Sequence, residues 1–146
     1  MIAQDGKDWI VAVVVATEVP PPGTTALDEA DIVLAIQAVC NVIKGRAHDP
    51  RFPNDPVLVV LEPKQFSAVG REDYWRKACA NLWFPHHVQA CLDTWRSTTP
   101  SPVAQGALWY YSPISMDPPG RVPDWVDGKA EVPVPGLSRD FFRFYR

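Results

Sequence analysis

Asp8-Trp9-Ile10-Val11-Ala12-Val13-Val14-Val15-Ala16-Thr17-Glu18 is the stretch on which the fold turns. It is almost continuously apolar, with neither a two-residue nor a 3.6-residue period, so by pattern alone it suits a buried strand or a buried helix. Its β-branched content favours strand. The apolar part, Trp9 to Ala16, is far too short to span a bilayer. Pro20-Pro21-Pro22-Gly23 stops the element whatever its type. Either way, one carboxylate, Glu18, ends the apolar run.

Downstream, the pattern is helical first and extended last. Thr25, with Asp28 three residues on, reads as an N-cap with a capping-box partner. It opens a helix whose apolar stripe is Ile32, Ala35, Ile36, Val39, Val42 and Ile43, closed at Gly45. Asp55-Pro56 is a cap and first-turn pair for a short helix, Val57 to Leu61. Arg71 to Trp83 and His87 to Ser97 read as two more helices, separated at Pro85. Ala107 to Tyr111 has strand composition, and Glu131 to Val134, Pro135-Gly136 and Phe141 to Tyr145 outline a hairpin. The expectation is one α+β domain over residues 1–146, mainly helical, with a small C-terminal β element.

Composition narrows the function. A net charge of −3 offers no cationic surface for a polyphosphate backbone, which argues against nucleic acid as the main partner. Cys40, Cys79 and Cys91 fall inside apolar helical patterns and are expected as reduced, buried thiols. His86-His87 has no His-Glu-x-x-His or Cys-x-x-Cys spacing beside it, so it is expected to be a surface pair at a helix start, and no metal site is expected. Sixteen prolines punctuate the chain, and their longest cluster runs from Pro113 to Pro135, where loops and short strands should dominate. The N-terminal residues show no evident signal peptide.

Four separated motifs resemble the SleB-like cell-wall hydrolases, a family related in architecture to lysozyme-like lytic transglycosylases. Val42-Ile43-Lys44-Gly45-Arg46 followed by Asp49-Pro50-Arg51-Phe52-Pro53-Asn54 is similar to the family's Val-Leu-Asn-Arg helix end and Phe-Pro turn. Gln65-Phe66-Ser67 matches its Gln-Phe-Ser tripeptide. Gly106 to Pro113 resembles its Gly-Ala-Leu-Tyr-Tyr-His-Asn-Pro segment, and Phe144-Tyr145-Arg146 its usual ending. Gly45 in place of Asn, and Ser112 where a His-Asn pair would stand, are departures that bear on substrate contacts.

The resemblance implies a lysozyme-like fold and a helix for the opening run, with the catalytic Glu at its end. Val15-Ala16-Thr17-Glu18-Val19 matches that position. The chain carries extra residues between Glu18 and Arg46, which makes Glu29 a rival acid. Glu29, however, falls in the first turn of a capped helix, where a carboxylate has an ordinary stabilising role. Gln65, Phe66, Ser67, Tyr110 and Tyr111 are the implied substrate-binding residues. The implied substrate is the glycan strand of peptidoglycan, with no cofactor and no membrane insertion. A bacteriophage endolysin or virion lysin, with other virion proteins as partners, fits a chain without an export signal. Such a protein would wait in the host cytoplasm, or in the virion, before reaching the wall.

The chemistry suits these residues. Breaking a glycosidic bond needs a proton delivered to the leaving oxygen as an oxocarbenium-like centre forms. A carboxylic acid does so when its surroundings keep it protonated, and Val13 to Ala16 and Val19 flank Glu18. Only one carboxylate stands in a motif position, although Asp28, Asp31, Glu72 and Asp73 could each approach in the fold. One acid suffices for a lytic transglycosylase. A hydrolytic muramidase, or a wall-binding or virion domain that keeps the fold without activity, are the alternatives.

Overall fold

The computed structural model describes residues 4–23, 27–62, 85–97, 99 and 101–146. The opening run is a helix, α1 (Gln4–Glu18), in which Val11 to Val15 are all buried. Valine costs up to about 0.7 kcal/mol relative to alanine in a helix. Full burial of its side chain returns about 1.5–3 kcal/mol, so packing overrides the β preference. A helix that is apolar all round lacks a helical period because it has no solvent face over that stretch.

The second helix, α2 (Glu29–His48), is capped by Asp28 rather than Thr25. The Asp28 carboxylate accepts from the Asp31 amide at 2.8 Å and Asp31 accepts from the Asp28 amide at 3.3 Å. The same box chemistry operates three residues further on than expected, and Thr25 lies outside the described residues. Nor does Gly45 end the helix, which continues to His48. A Cβ at Gly45 would meet Leu108 Cδ2 at 3.2 Å, so the missing side chain lets the strand approach α2. Asp55 caps α3 (Pro56–Val60), accepting from the Val57 amide at 2.9 Å, with Pro56 in the first turn. Next comes α4 (Pro85–Arg96), opened rather than preceded by Pro85. The expected helix over residues 71–83 lies outside the described residues.

The sheet has three antiparallel strands, β1 (Trp109–Tyr111), β2 (Glu131–Val132) and β3 (Arg143–Tyr145), in the order β1-β3-β2. Tyr110 pairs with Phe144, and Phe144 with Val132, which sets these three on one face. Trp109, Tyr111, Arg143 and Tyr145 take the other. Gly136, at φ +88°, turns the chain between β2 and β3. Two short 3₁₀ turns, Pro113–Ser115 and Asp124–Val126, fill the proline-rich connection.

One core joins these parts: Val11 to Val15 of α1, Ile36, Val39 and Ile43 of α2, Val59 and Val60 of α3, Leu92 of α4, and Phe144 of the sheet. Burial pushes the Cys40 thiol up to about 12 and raises that of Cys91 as well, as expected of inert thiols, while Cys79 lies outside the described residues. Among the described residues, no helix is long and apolar enough to cross a membrane.

Candidate active site

Glu18 is the last residue of α1 and is half-buried. Two groups from distant elements meet it. The first is Arg46, near the end of α2 and 4% exposed. Its Nε donates to the Leu108 carbonyl at 2.6 Å, and its guanidinium lies 5.0 Å from the centre of the Phe52 ring. Burial pushes the Arg46 guanidinium below its ordinary range, while the Glu62 and Glu18 carboxylates act to keep it charged.

The second group is Tyr110, on β1. Its ring packs against Phe142 and Phe144, at 6.2 and 5.6 Å between centres. Its hydroxyl is buried and interacts with the Glu18 carboxylate. Burial, followed by the Glu18 charge, pushes the phenol well above its ordinary range, so it stays a donor. The sequence predicts apolar surroundings for Glu18. The structure adds a buried cation and a phenol.

The other expected site residues are distributed as follows. Glu29 is exposed in the first turn of α2, away from this cluster of partners. Asp28 and Asp31 are occupied in the capping box. Tyr111 is 7% exposed on the sheet face opposite Tyr110. It stacks on Tyr145 at 6.1 Å under the edge of Trp125, and its hydroxyl receives Arg143 Nη1 at 3.4 Å. Of the two tyrosines, then, Tyr110 meets Glu18 and Tyr111 does not. Gln65, Phe66 and Ser67 lie outside the described residues, as do Glu72 and Asp73.

Trp109 shares the Tyr111 face and is bracketed by cations. Lys129 Nζ lies 3.8 Å from the ring centre and the Arg51 guanidinium 5.1 Å. Phe52, whose ring sits 5.9 Å from that of Trp109, links it to Arg46. Arg51 itself is held by two bonds to the Asp49 carboxylate, both 2.9 Å, which keep Asp49 down at about 2.

Sequence reasoning missed three residues. Arg46 sits inside a quoted motif, yet its partners come from three other segments. Glu62 is a second carboxylate acting on the same guanidinium, with no motif to mark it. His87 is not a surface residue: His86 is exposed, but His87 is 6% exposed and its Nε2 lies 2.7 Å from the Val19 carbonyl. The signal for burial was its place on the apolar face of α4, beside Val88, Cys91 and Leu92.

A cleft of about 310 Å³, lined by Gln4, Lys7, Asp8, Asn54, Pro56 and Trp95 among others, lies at the first turns of α1. At a rise of 1.5 Å per residue its α1 lining, from Gln4 to Val11, lies roughly 10–20 Å along the axis from Glu18, and neither Arg46 nor Tyr110 lines it. Among the described residues, no three His, Cys, Asp or Glu side chains converge as a metal-binding group.

The family model described as cell wall hydrolase matches residues 33–139, which include Arg46, Glu62 and Tyr110 and begin after Glu18. No curated protein matches the chain. Among solved structures, the catalytic domain of the germination-specific lytic transglycosylase SleB from Bacillus anthracis superposes with a TM-score of 0.62 at 20% identity. The superposition covers 99% of this chain and 97% of that one, so it takes in α1 and the Glu18 position. The mostly helical body with its small antiparallel sheet is therefore the lysozyme-like fold of that domain, and the chain belongs to the cell wall hydrolase family.

Proposed function

We propose that the chain cleaves peptidoglycan glycan strands between N-acetylmuramic acid and N-acetylglucosamine, as a lytic transglycosylase with Glu18 as general acid and then general base. The observation that carries this reading is the convergence of Arg46 and Tyr110 on the carboxylate that ends α1. Glu18 gives its proton to the departing glycosidic oxygen, and the C1–O bond breaks towards an oxocarbenium-like centre. Glu18 is then an anion, which the Arg46 cation and the Tyr110 hydroxyl stabilise. The muramic C6 hydroxyl attacks C1, its proton passes to Glu18, and a 1,6-anhydro end results. The acid is regenerated and no water is consumed.

Glu62 supports a second reading, hydrolytic muramidase. It acts on the same guanidinium as Glu18 and is a candidate base for an attacking water.

The test is mass spectrometry of muropeptides released from purified peptidoglycan by the wild type, Glu18→Gln and Glu62→Gln. Anhydro ends that fall at least about a hundredfold in Glu18→Gln and persist in Glu62→Gln are the expected result. Reducing ends lost in both variants would replace transglycosylation with hydrolysis. No release by the wild type would leave a wall-binding or structural role.

A further inference from the structure

We propose that His87 is a positioning residue for Glu18, fixing the C-terminal end of α1 by donating its Nε2–H to the Val19 carbonyl. The inference rests on Glu18 being the catalytic acid. Val19 follows Glu18 directly, is fully buried, and still donates its own amide to the Val15 carbonyl at 2.9 Å. The carbonyls of a last helical turn have no partner within the helix and are ordinarily satisfied by amides of the following residues. Here the first three of those residues are Pro20, Pro21 and Pro22, none of which has an N–H, and the amide of Gly23, four residues after Val19, makes no bond to its carbonyl.

The donor comes instead from the His87 ring, in the first turn of α4, at 2.7 Å. An acceptor carbonyl fixes the tautomer with hydrogen on Nε2. Burial, partly offset by this bond, pushes the His87 pKa down and favours the neutral ring.

The bond holds one end of the helix pair only. At the other end, Trp95 Nε1 and Arg96 Nε donate to the Asp8 carboxylate at 3.0 and 3.1 Å, tying the start of α1 to the end of α4. Loss of the His87 donor would leave the helices paired while freeing the turn that carries Glu18. That turn must hold the carboxylate on Tyr110 and Arg46, and a misplacement of about 1 Å can cost a hundredfold in rate.

The test compares full-length wild type, His87→Leu and His87→Gln, whose amide nitrogen can take the place of Nε2. The Glu18 carboxyl carbon is followed by NMR and the kinetics of muropeptide release are measured alongside. In His87→Leu the Glu18 resonance should shift and kcat should fall about ten- to a hundredfold with KM nearly unchanged. His87→Gln should restore both. Should Leu cost the fold, His87→Asn, whose amide is too short to reach Val19, takes its place.

A Glu18 resonance indifferent to loss of the donor in a folded variant overturns the proposal. So does a fall in kcat that Gln fails to rescue. The underlying reading fails separately, through absence of release by the wild type, and in that case the NMR comparison alone decides the role of His87.

Discussion

At its first turns α1 is tied to α4 by Asp5 and Asp8 reaching Arg96 and Trp95; Asp5 and Arg96 stay in contact with water, while the Asp8 carboxylate is largely covered. At its last turn the tie is a single imidazole–carbonyl bond inside the core, and the carboxylate beyond it faces a cation that is itself buried. The difference follows from the cost of desolvation. Exposed ion pairs contribute at most about 1 kcal/mol and tolerate substitution. Buried charges must be matched, so each partner at the Glu18 end becomes hard to replace.

Arg46→Leu should break the comparison most severely. It removes the donor to the Leu108 carbonyl and the cation on which Glu18 and Glu62 both act. Losing one partner of a buried charged set costs about 3–5 kcal/mol, so calorimetry should show a fall in Tm of roughly 10 °C. A fall of only a degree or two would mean that solvent already carries these charges. Tyr110→Phe should be milder for the fold, about 1–2 kcal/mol, because only the hydroxyl is lost and the ring still packs on Phe142 and Phe144. Its effect on muropeptide release should exceed its effect on stability, and equal proportions would reduce Tyr110 to a core residue.

The same contrast explains what was legible beforehand. The α2 stripe, the Asp55-Pro56 start and the terminal strands are local patterns that read directly. The type of α1 was not, because burial on every side erases the period that separates helix from strand. Glu18 was visible as the end of that run. Its partners were not, since Arg46, Glu62 and Tyr110 are joined to it only by the folded chain. His87 looked like half of a surface pair because its burial depends on α1 packing over α4. The α2 cap moved to Asp28 because Asp28 and Asp31 form a reciprocal box of their own.

Acid separates the two ends. Burial lowers His87 below its ordinary 6.5, with the Val19 bond opposing. The unfolded chain therefore binds the proton more readily, so stability present above pH 6.5 is lost as pH falls through the folded value. Melting curves between pH 7 and 5 should show this decline in the wild type and a flatter profile in His87→Gln, and identical profiles would remove His87 from the acid response.

Asp8 gives the smallest effect. Desolvation pulls its pKa up but is outweighed by hydrogen bonds from Arg96, Gln4 and Trp95, leaving it below its ordinary 3.8. Its contribution is present above pH 3.8 and lost as pH falls through the lower folded value, well below the His87 window. Asp8→Asn keeps an acceptor for Trp95 and should cost less than ~1 kcal/mol at pH 7, given the screening at this end. Muropeptide release should be unchanged, because the Glu18 end is held by its own contacts. A variant that lost activity while keeping its Tm would show that the two ends of α1 are coupled along the helix, and that the clamp at Asp8 also sets the position of the acid.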